Sequence, residues 1–330
     1  MYSPQKDGGD VATRAGVFAL SLLATPLNVV ALELLAEAPR PLLEIRGVTS
    51  APATTIRRHL RALIELGVVE RKREIGFPGS THYELAGPGR ELMTVVAATG
   101  AWLRLSPKGP IDLGDAAAKS AIKALSDGWS TSMVRALAAR PLSLTELDLL
   151  ITNVSYPSLE RRLAALRLSG LVRRAPGRGG ATPHAVTDWL RQAVAPLAAA
   201  ARWEATHVRH AAGPITNRDI EAAFLLSLPL LRLPSDVSGS CRLAVEFSNG
   251  SGPRYAGVVV GVEEGQIASC ISHLEQHAGG WASGSVADWM GAVIDHEPSR
   301  LQIGGEAQLA SRLLDGLHAV LFASRQRRSS

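Results

Sequence analysis

The chain has 330 residues, enough for two or three domains, and 46% hydrophobic with 20% charged residues is the composition of a globular protein rather than a disordered or fibrous one. Two cysteines argue against a disulfide framework and for a reducing compartment. The net charge of +5 is unevenly spread: residues 1–210 hold 26 Lys and Arg against 18 Asp and Glu, residues 211–330 hold 9 against 12. A polyanion-binding role would therefore belong to the first two thirds.

The start of the chain, Met1 to Arg14, is polar, and the apolar run Val17 to Leu23 is too short to span a bilayer. No secretory signal or membrane contact is expected, and the chain is read as cytoplasmic. Leu27 to Glu37 has helical periodicity and stops at Pro39 and Pro41. Leu42 to Arg46 forms a short second helix, and Pro52 is suited to open a third that runs to Leu66. Val68 to Glu74 then reads as a strand, Gly76 to Ser80 as a turn and Thr81 to Leu85 as the returning strand.

About a hundred residues on, the same order returns. Ser130 to Arg140, Leu144 to Ile151 and Tyr156 to Ser169 are the three helices, with Ser155 as N-cap of the third. Leu171 to Arg174 opens a hairpin tipped by Pro176-Gly177-Arg178-Gly179-Gly180. Ile56-Arg57-Arg58-His59-Leu60-Arg61-Ala62-Leu63 before Gly67-Val68-Val69 matches Leu159-Glu160-Arg161-Arg162-Leu163-Ala164-Ala165-Leu166 before Gly170-Leu171-Val172 at a constant spacing of 103. The flanks follow: His82 pairs with His184 at 102 and Trp102 with Trp203 at 101. The helices carrying those tryptophans, Gly89 to Leu103 and Asp188 to Ala205, are Ala- and Leu-rich and are expected to pack the two units together. An arginine-bearing helix feeding a basic hairpin is the footprint of a winged helix-turn-helix.

Stepping 100° per residue from Ile56 places Leu60 and Leu63 on the buried side and Thr54, Arg57, Arg58 and Arg61 opposite. With Thr55 beside them, and Arg71, Lys72 and Arg73 on the adjoining strand, this face suits a major groove, since arginine forks take guanine O6 and N7 together. The second copy is weaker, because Glu160 and Ala164 replace Arg57 and Arg61. Its candidate contacts are Ser158, Arg161, Arg162 and the glycine-framed Arg178, with Glu160 able either to accept from cytosine or to repel phosphate.

Asp127-Gly128-Trp129-Ser130, Leu137, Leu144-Thr145-Glu146-Leu147, Ser155, Leu163, Leu166, Gly170-Leu171-Val172 and Arg173 resemble the HxlR group of MarR-like winged-helix transcription regulators. The first copy, ending in His82-Tyr83-Glu84-Leu85 and Gly89-Arg90-Glu91-Leu92, resembles the same module. The pattern departs at Ala185-Val186-Thr187-Asp188, where the family has Tyr-x-Leu-Thr, and neither copy has the N-terminal cysteine of redox-sensing members.

After His210 the pattern changes. Thr216 to Asp219 reads as a capping box opening a helix to Leu226. Leu243, Val245 and Phe247 alternate with Arg242, Ala244 and Glu246, and further strands are expected at Tyr255 to Val262 and Gln266 to Ser272 around an Glu264-Gly265 turn. Ser285 to Asp288 caps another helix, Leu301 and Ile303 form a short strand, and Leu309, Leu313, Leu317 and Val320 line a last helix. An antiparallel α+β layer is expected. Gly284 to Met290 and Leu301 to Glu306 resemble the sterol carrier protein type 2 domain, which implies an apolar cavity for lipid-like or polycyclic molecules, with Trp281, Trp289, Met290, Leu313 and Leu317 as walls or as core.

Cys270, His273 and His277, with Cys241, have tempting metal spacing but lack paired ligand motifs, so no metal and no cofactor is expected. No nucleophile, acid–base or phosphate-loop motif has its context, which disfavours an enzyme. The expected fold class is α+β: an N-terminal extension (1–25), a winged helix-turn-helix (26–105), a linker (106–126), a second winged helix-turn-helix (127–210), the sterol-carrier-like domain (211–324) and a basic tail (325–330). The expected function is a ligand-responsive transcription regulator whose partners are double-stranded DNA, a hydrophobic small-molecule effector and at most a second copy in a homodimer. The rivals are a lipid carrier whose winged helices mediate protein contacts and an enzyme acting on DNA.

Overall fold

A computed structural model of the protein describes residues 14–49, 51–73, 81–128, 130–152, 154–177, 182–208, 210, 212–248 and 253–322, a mixed α+β structure. The first repeat begins with α1 (Val17–Leu23) and α2 (Pro26–Glu37), followed by the two-residue strand β1 (Arg40–Pro41), α3 (Leu42–Thr49) and α4 (Ala53–Glu65). A hairpin of β2 (Val69–Arg73) and β3 (Thr81–Leu85) leads into α5 (Gly87–Arg104). Pro52 is the residue just before α4, one position earlier than its sequence suggests. The strands order as β1-β3-β2, so the short strand after α2 zips onto the hairpin.

The second repeat restates this. After α6 (Ala116–Gly128) come α7 (Thr131–Ala139), α8 (Leu144–Leu150), α9 (Tyr156–Ser169), the hairpin β4 (Val172–Arg174) and β5 (His184–Val186), then α10 (Asp188–Gln192) and α11 (Val194–His207). The counterpart of β1 shrinks to one bridge, Leu142 to His184. Ser155 occupies the N-cap of α9 but its side chain makes no capping bond. Each third helix ends in the same way. Gly67 (φ 68°) and Gly170 (φ 87°) turn left-handed, and the next amides, Val68 and Leu171, donate back to Leu63 and Leu166. This Schellman closure needs a residue free of a β-carbon penalty, and it fixes the exit into the hairpin at the same register in both copies.

Two segments without an assigned role in the sequence carry helices. α1 lies in the expected extension and α6 in the expected linker, where Ile122 and Leu125 are fully buried. Glu204 on α11, itself wholly buried, accepts from the amides of Gly16 (2.7 Å) and Ala19 (2.8 Å). A carboxylate on those orphan donors complements the positive end of α1 and pins it to the second repeat.

The repeats meet along α5 and α11, which run antiparallel. Trp102 Nε1 donates to the carbonyl of Trp189 (2.9 Å), and Trp203 Nε1 donates to the carbonyl of Pro88 (2.8 Å). Residues 102 and 203 correspond at a spacing of 101, and so do 88 and 189. Each repeat therefore gives the other the bond it receives, the reciprocity of an isologous two-fold interface. Only the first bond has a second half, because Trp189 rather than proline is the acceptor there: its ring stacks on Trp102 at 4.9 Å and returns a bond to the Trp102 carbonyl (2.9 Å).

The last part holds α12 (Asn217–Ser227), strands β6 (Gly239–Ser248), β7 (Pro253–Glu263), β8 (Gln266–Ile271) and β9 (Gly280–Ser285), α13 (Val286–Ile294), β10 (Gln302–Gly305) and α14 (Ala307–Leu321). Capping boxes open α12 and α13 at Thr216/Asp219 and Ser285/Asp288. Glu264 (φ 47°) and Gly265 (φ 74°) form the tight β7–β8 turn. The sheet is not purely antiparallel. Its order is β10-β9-β6-β7-β8, and β9 pairs parallel to β6. The segment 272–279 leads from β8 at one edge to β9 on the far side of β6, with the Arg242 guanidinium bonded to the carbonyl of Gln276 (3.0 Å), and so delivers β9 in the parallel sense.

Candidate nucleic-acid interface and apolar cavity

α4 is amphipathic by construction. Ile56, Leu60 and Leu63 are each 1% exposed, which commits the opposite side to solvent. Thr54, Arg57, Arg58 and Arg61 all lie there, with Thr55 half-buried at the edge. None of the three guanidinium groups makes an ion pair or hydrogen bond with a described residue. His59 turns inward instead: its Nδ1 is 3.0 Å from Asn28 Oδ1, while Asn28 Nδ2 donates to Leu22. Asn28 thus accepts and the imidazole donates, tying α4 to α2. Burial, reinforced by Arg58, holds the His59 pKa below its usual value, so the ring is neutral at pH 7.

On β2, Arg71 and Arg73 project to one side and Lys72 to the other. The two arginines are exposed and make no bond to described residues, whereas Lys72 bonds Glu84 across the hairpin and lies 3.9 Å from Glu70. Lys72 therefore does not present the open cation expected of it. Glu84 across the hairpin and Glu70 on the same strand offset its charge, and the Glu84 bond raises its pKa.

In the second repeat Arg161 is exposed on α9 and free of described partners, while Arg162 and Ser158 are half-buried. Glu160 is exposed beside Arg161. Arg178 lies outside the described residues, as do the turn at 76–80 and the tail at 325–330. Arg173 and Arg174 on β4 are exposed cations equivalent in place to the basic stretch of β2, which the sequence comparison assigned only as part of a motif.

A cavity of about 190 Å³ lies where α11 meets the last part of the chain. Val194, Leu197, Ala198 and Ala201 of α11 form one wall, Ile220, Ala223 and Phe224 of α12 another, and Trp289, Met290 and Leu317 close it from α13 and α14. Three of the five expected wall residues are therefore present. Leu313 is fully buried in the core, off the cavity, and Trp281 faces the other way. Trp281 pairs with Arg242 on the outer face of the sheet, and its ring covers Gly304, where a β-carbon would come within 2.5 Å of it. The α11 wall was missed. Its signal is the run Ala198-Ala199-Ala200-Ala201, whose small side chains leave room between helices.

The cavity wall also includes Arg14 and Asp219. Arg14 is held by the charges of Asp219 and Glu204, and burial brings its pKa down to about 10. Asp219 also accepts from Thr131 of α7 (2.7 Å). The same junction is fastened by Arg135 with Glu221, by Arg202 with Asp295 (2.6 Å) and by Arg191, which donates to the terminal carbonyls of α12 at Leu225 (3.0 Å) and Leu226 (3.3 Å). The last part of the chain is thus docked on the second repeat.

Cys241 and Cys270 face the same side of the sheet but pair with opposite edges of Val260, so one whole strand separates them. Two interstrand spacings of about 4.8 Å are too far for a shared metal ion. Burial pushes both thiols up to about 12, which keeps them protonated. Among the described residues no single helix is long and apolar enough to cross a membrane. No protein-family model matches the chain, and no curated protein matches it.

Proposed function

We propose that the protein is a DNA-binding transcription regulator built from two tandem winged helices, whose grip on DNA is modulated by a small hydrophobic molecule in the cavity beside α11. The observation that carries the reading is the face of α4. Three exposed arginines without partners among the described residues stand together with Arg71 and Arg73, and a cluster of like charges costs electrostatic self-repulsion unless a polyanion relieves it. The reciprocal tryptophan bonds support a paired reading head, with α4 and α9 addressing two half-sites of an asymmetric or pseudo-palindromic operator. The halves differ in charge, so their preferred sequences differ.

The cavity supports the regulatory part. α11 is at once the cavity wall, through Ala198 and Ala201, and the partner of α5, through Trp203. A ligand that fits one placement of α11 better than another shifts the relative placement of α4 and α9, and its effect on DNA affinity equals that differential binding. The test is selection of bound genomic fragments, footprinting on the strongest, and titration of affinity against salt. The reading expects two adjacent protected half-sites and an affinity that falls steeply with salt. A lack of salt-dependent DNA binding would leave the winged helices as protein-contact modules.

A further inference from the structure

We infer that the ligand of this cavity is a neutral, apolar molecule of a single ring, not a fatty acid, a sterol or an aromatic acid; this rests on the reading of the cavity as the effector site. Size comes first. About 190 Å³ is close to an engineered cavity of roughly 150 Å³ that stays dry and takes up benzene. A benzene ring with a short alkyl group fills such a space, while four fused rings or a long acyl chain overrun it.

Chemistry narrows the class further. Three polar side chains on the wall, Trp289, Ser227 and Asp219, are already bonded within the protein. Trp289 Nε1 donates to the Ala244 carbonyl (2.8 Å) and the Ser227 hydroxyl to Ala223 (2.7 Å). Both oxygens of Asp219 accept, one from Thr131 and the other from Thr216. A hydroxyl or amide on the ligand would find no open partner in these three groups. A carboxylate fares worse, because Asp219 on the wall repels it and the one guanidinium there, Arg14, already has its charge balanced by Asp219 and by Glu204 behind the wall. Ring shape is favoured by the wall itself. Phe224 and Trp289 stand edge to face at 5.1 Å and 79°, an arrangement that a third aromatic ring extends.

The test uses the full chain and isothermal titration with ethylbenzene, benzoate, benzylammonium and decanoate. Ethylbenzene is expected to bind at one site, with the two charged rings weaker by about tenfold or more and decanoate not detectably bound. Ala198→Phe and Ala223→Leu fill the space from opposite walls, and whichever remains folded by circular dichroism should lose ethylbenzene. Charged rings or decanoate binding as tightly as ethylbenzene, undiminished ethylbenzene binding in a folded filled variant, or no binding to the folded native chain would each overturn the inference. DNA affinity with and without ethylbenzene is read separately. Ligand binding as described with unchanged DNA affinity supports the ligand class and removes only its regulatory role.

Discussion

Replacing Trp102 by phenylalanine should damage the junction between the repeats more than the same change at Trp203, although the two residues are repeat equivalents. Trp102 is 2% exposed, and its indole N–H is bonded to a carbonyl inside the interface. Phenylalanine keeps most of the apolar contact but leaves the Trp189 carbonyl without that donor, a cost of about 1–3 kcal/mol for a buried unsatisfied group. Loss of the indole stack at 4.9 Å adds about 0.5–1.5 kcal/mol. Trp203 is nearly as buried, at 3% exposed, but its acceptor is the half-buried Pro88 in the first turn of α5, and no second tryptophan among the described residues stacks on it, so about 1 kcal/mol is expected. The assay is urea unfolding of both variants followed by far-ultraviolet circular dichroism, a signal that neither substitution removes. Equal losses at the two positions, or a smaller loss at Trp102, would refute the assignment of the interface energy to the Trp102–Trp189 pair.

Further outcomes follow from the exposed cations and the buried rings. Arg58→Ala and Arg61→Ala should each weaken operator binding by about 1–3 kcal/mol in fluorescence anisotropy, and more than Arg161→Ala, whose neighbour Glu160 opposes phosphate; equal losses from the two repeats would contradict this ranking. Lys72→Ala should barely change DNA affinity because Glu84 already holds the ammonium, whereas Arg73→Ala should lower affinity for all sequences and reduce the salt slope by about 1. His184 is buried with Nδ1 unbonded among the described residues, and burial together with Arg167 and Arg174 lowers its pKa, as burial and Arg58 lower that of His59. Folded-state pKa values below about 6.5 mean that the unfolded chain binds more protons, so this stability is complete above pH 6.5 and is lost as pH falls through the folded values. The raised pKa of Glu204 acts in the opposite sense, so the check is specific: His184→Gln should flatten the acid-side decline of Tm, and an unchanged slope would remove His184 from the account.

The third helix of each repeat was legible because two independent signals coincide there. Apolar residues at i, i+4 and i+7 fix the buried face, and the closing glycine fixes the end; Tyr156–Ser169 begins and ends where the periodicity places it. β9 was not legible, since Gly280-Trp281-Ala282-Ser283-Gly284-Ser285 has no β-branched residue and reads as a loop. Without it, Trp281 could not be given a face, and the sheet could not be known to contain a parallel pair. α6 was passed over because it lies outside the repeated motif, although its burial against the second repeat is complete at Ile122. The cavity was placed in the last part of the chain alone. Its α11 wall depends on which helix the part docks against, a contact between residues far apart in sequence that no local pattern announces. The register of the tryptophans was visible, but their acceptors were not, because a backbone carbonyl leaves no mark in the sequence.

The reciprocal tryptophan bonds have a consequence for how such a molecule changes over generations. In a two-fold assembly of identical subunits every substitution appears twice, so both halves of a target must drift together. Here a single polypeptide supplies both halves of the joint, and Glu160 can differ from Arg57 without disturbing it. On the proposed function, each half-site would then be free to diverge alone. Dilution does not separate the two halves of this joint, so on the proposed function pairing the two reading helices would need no association step.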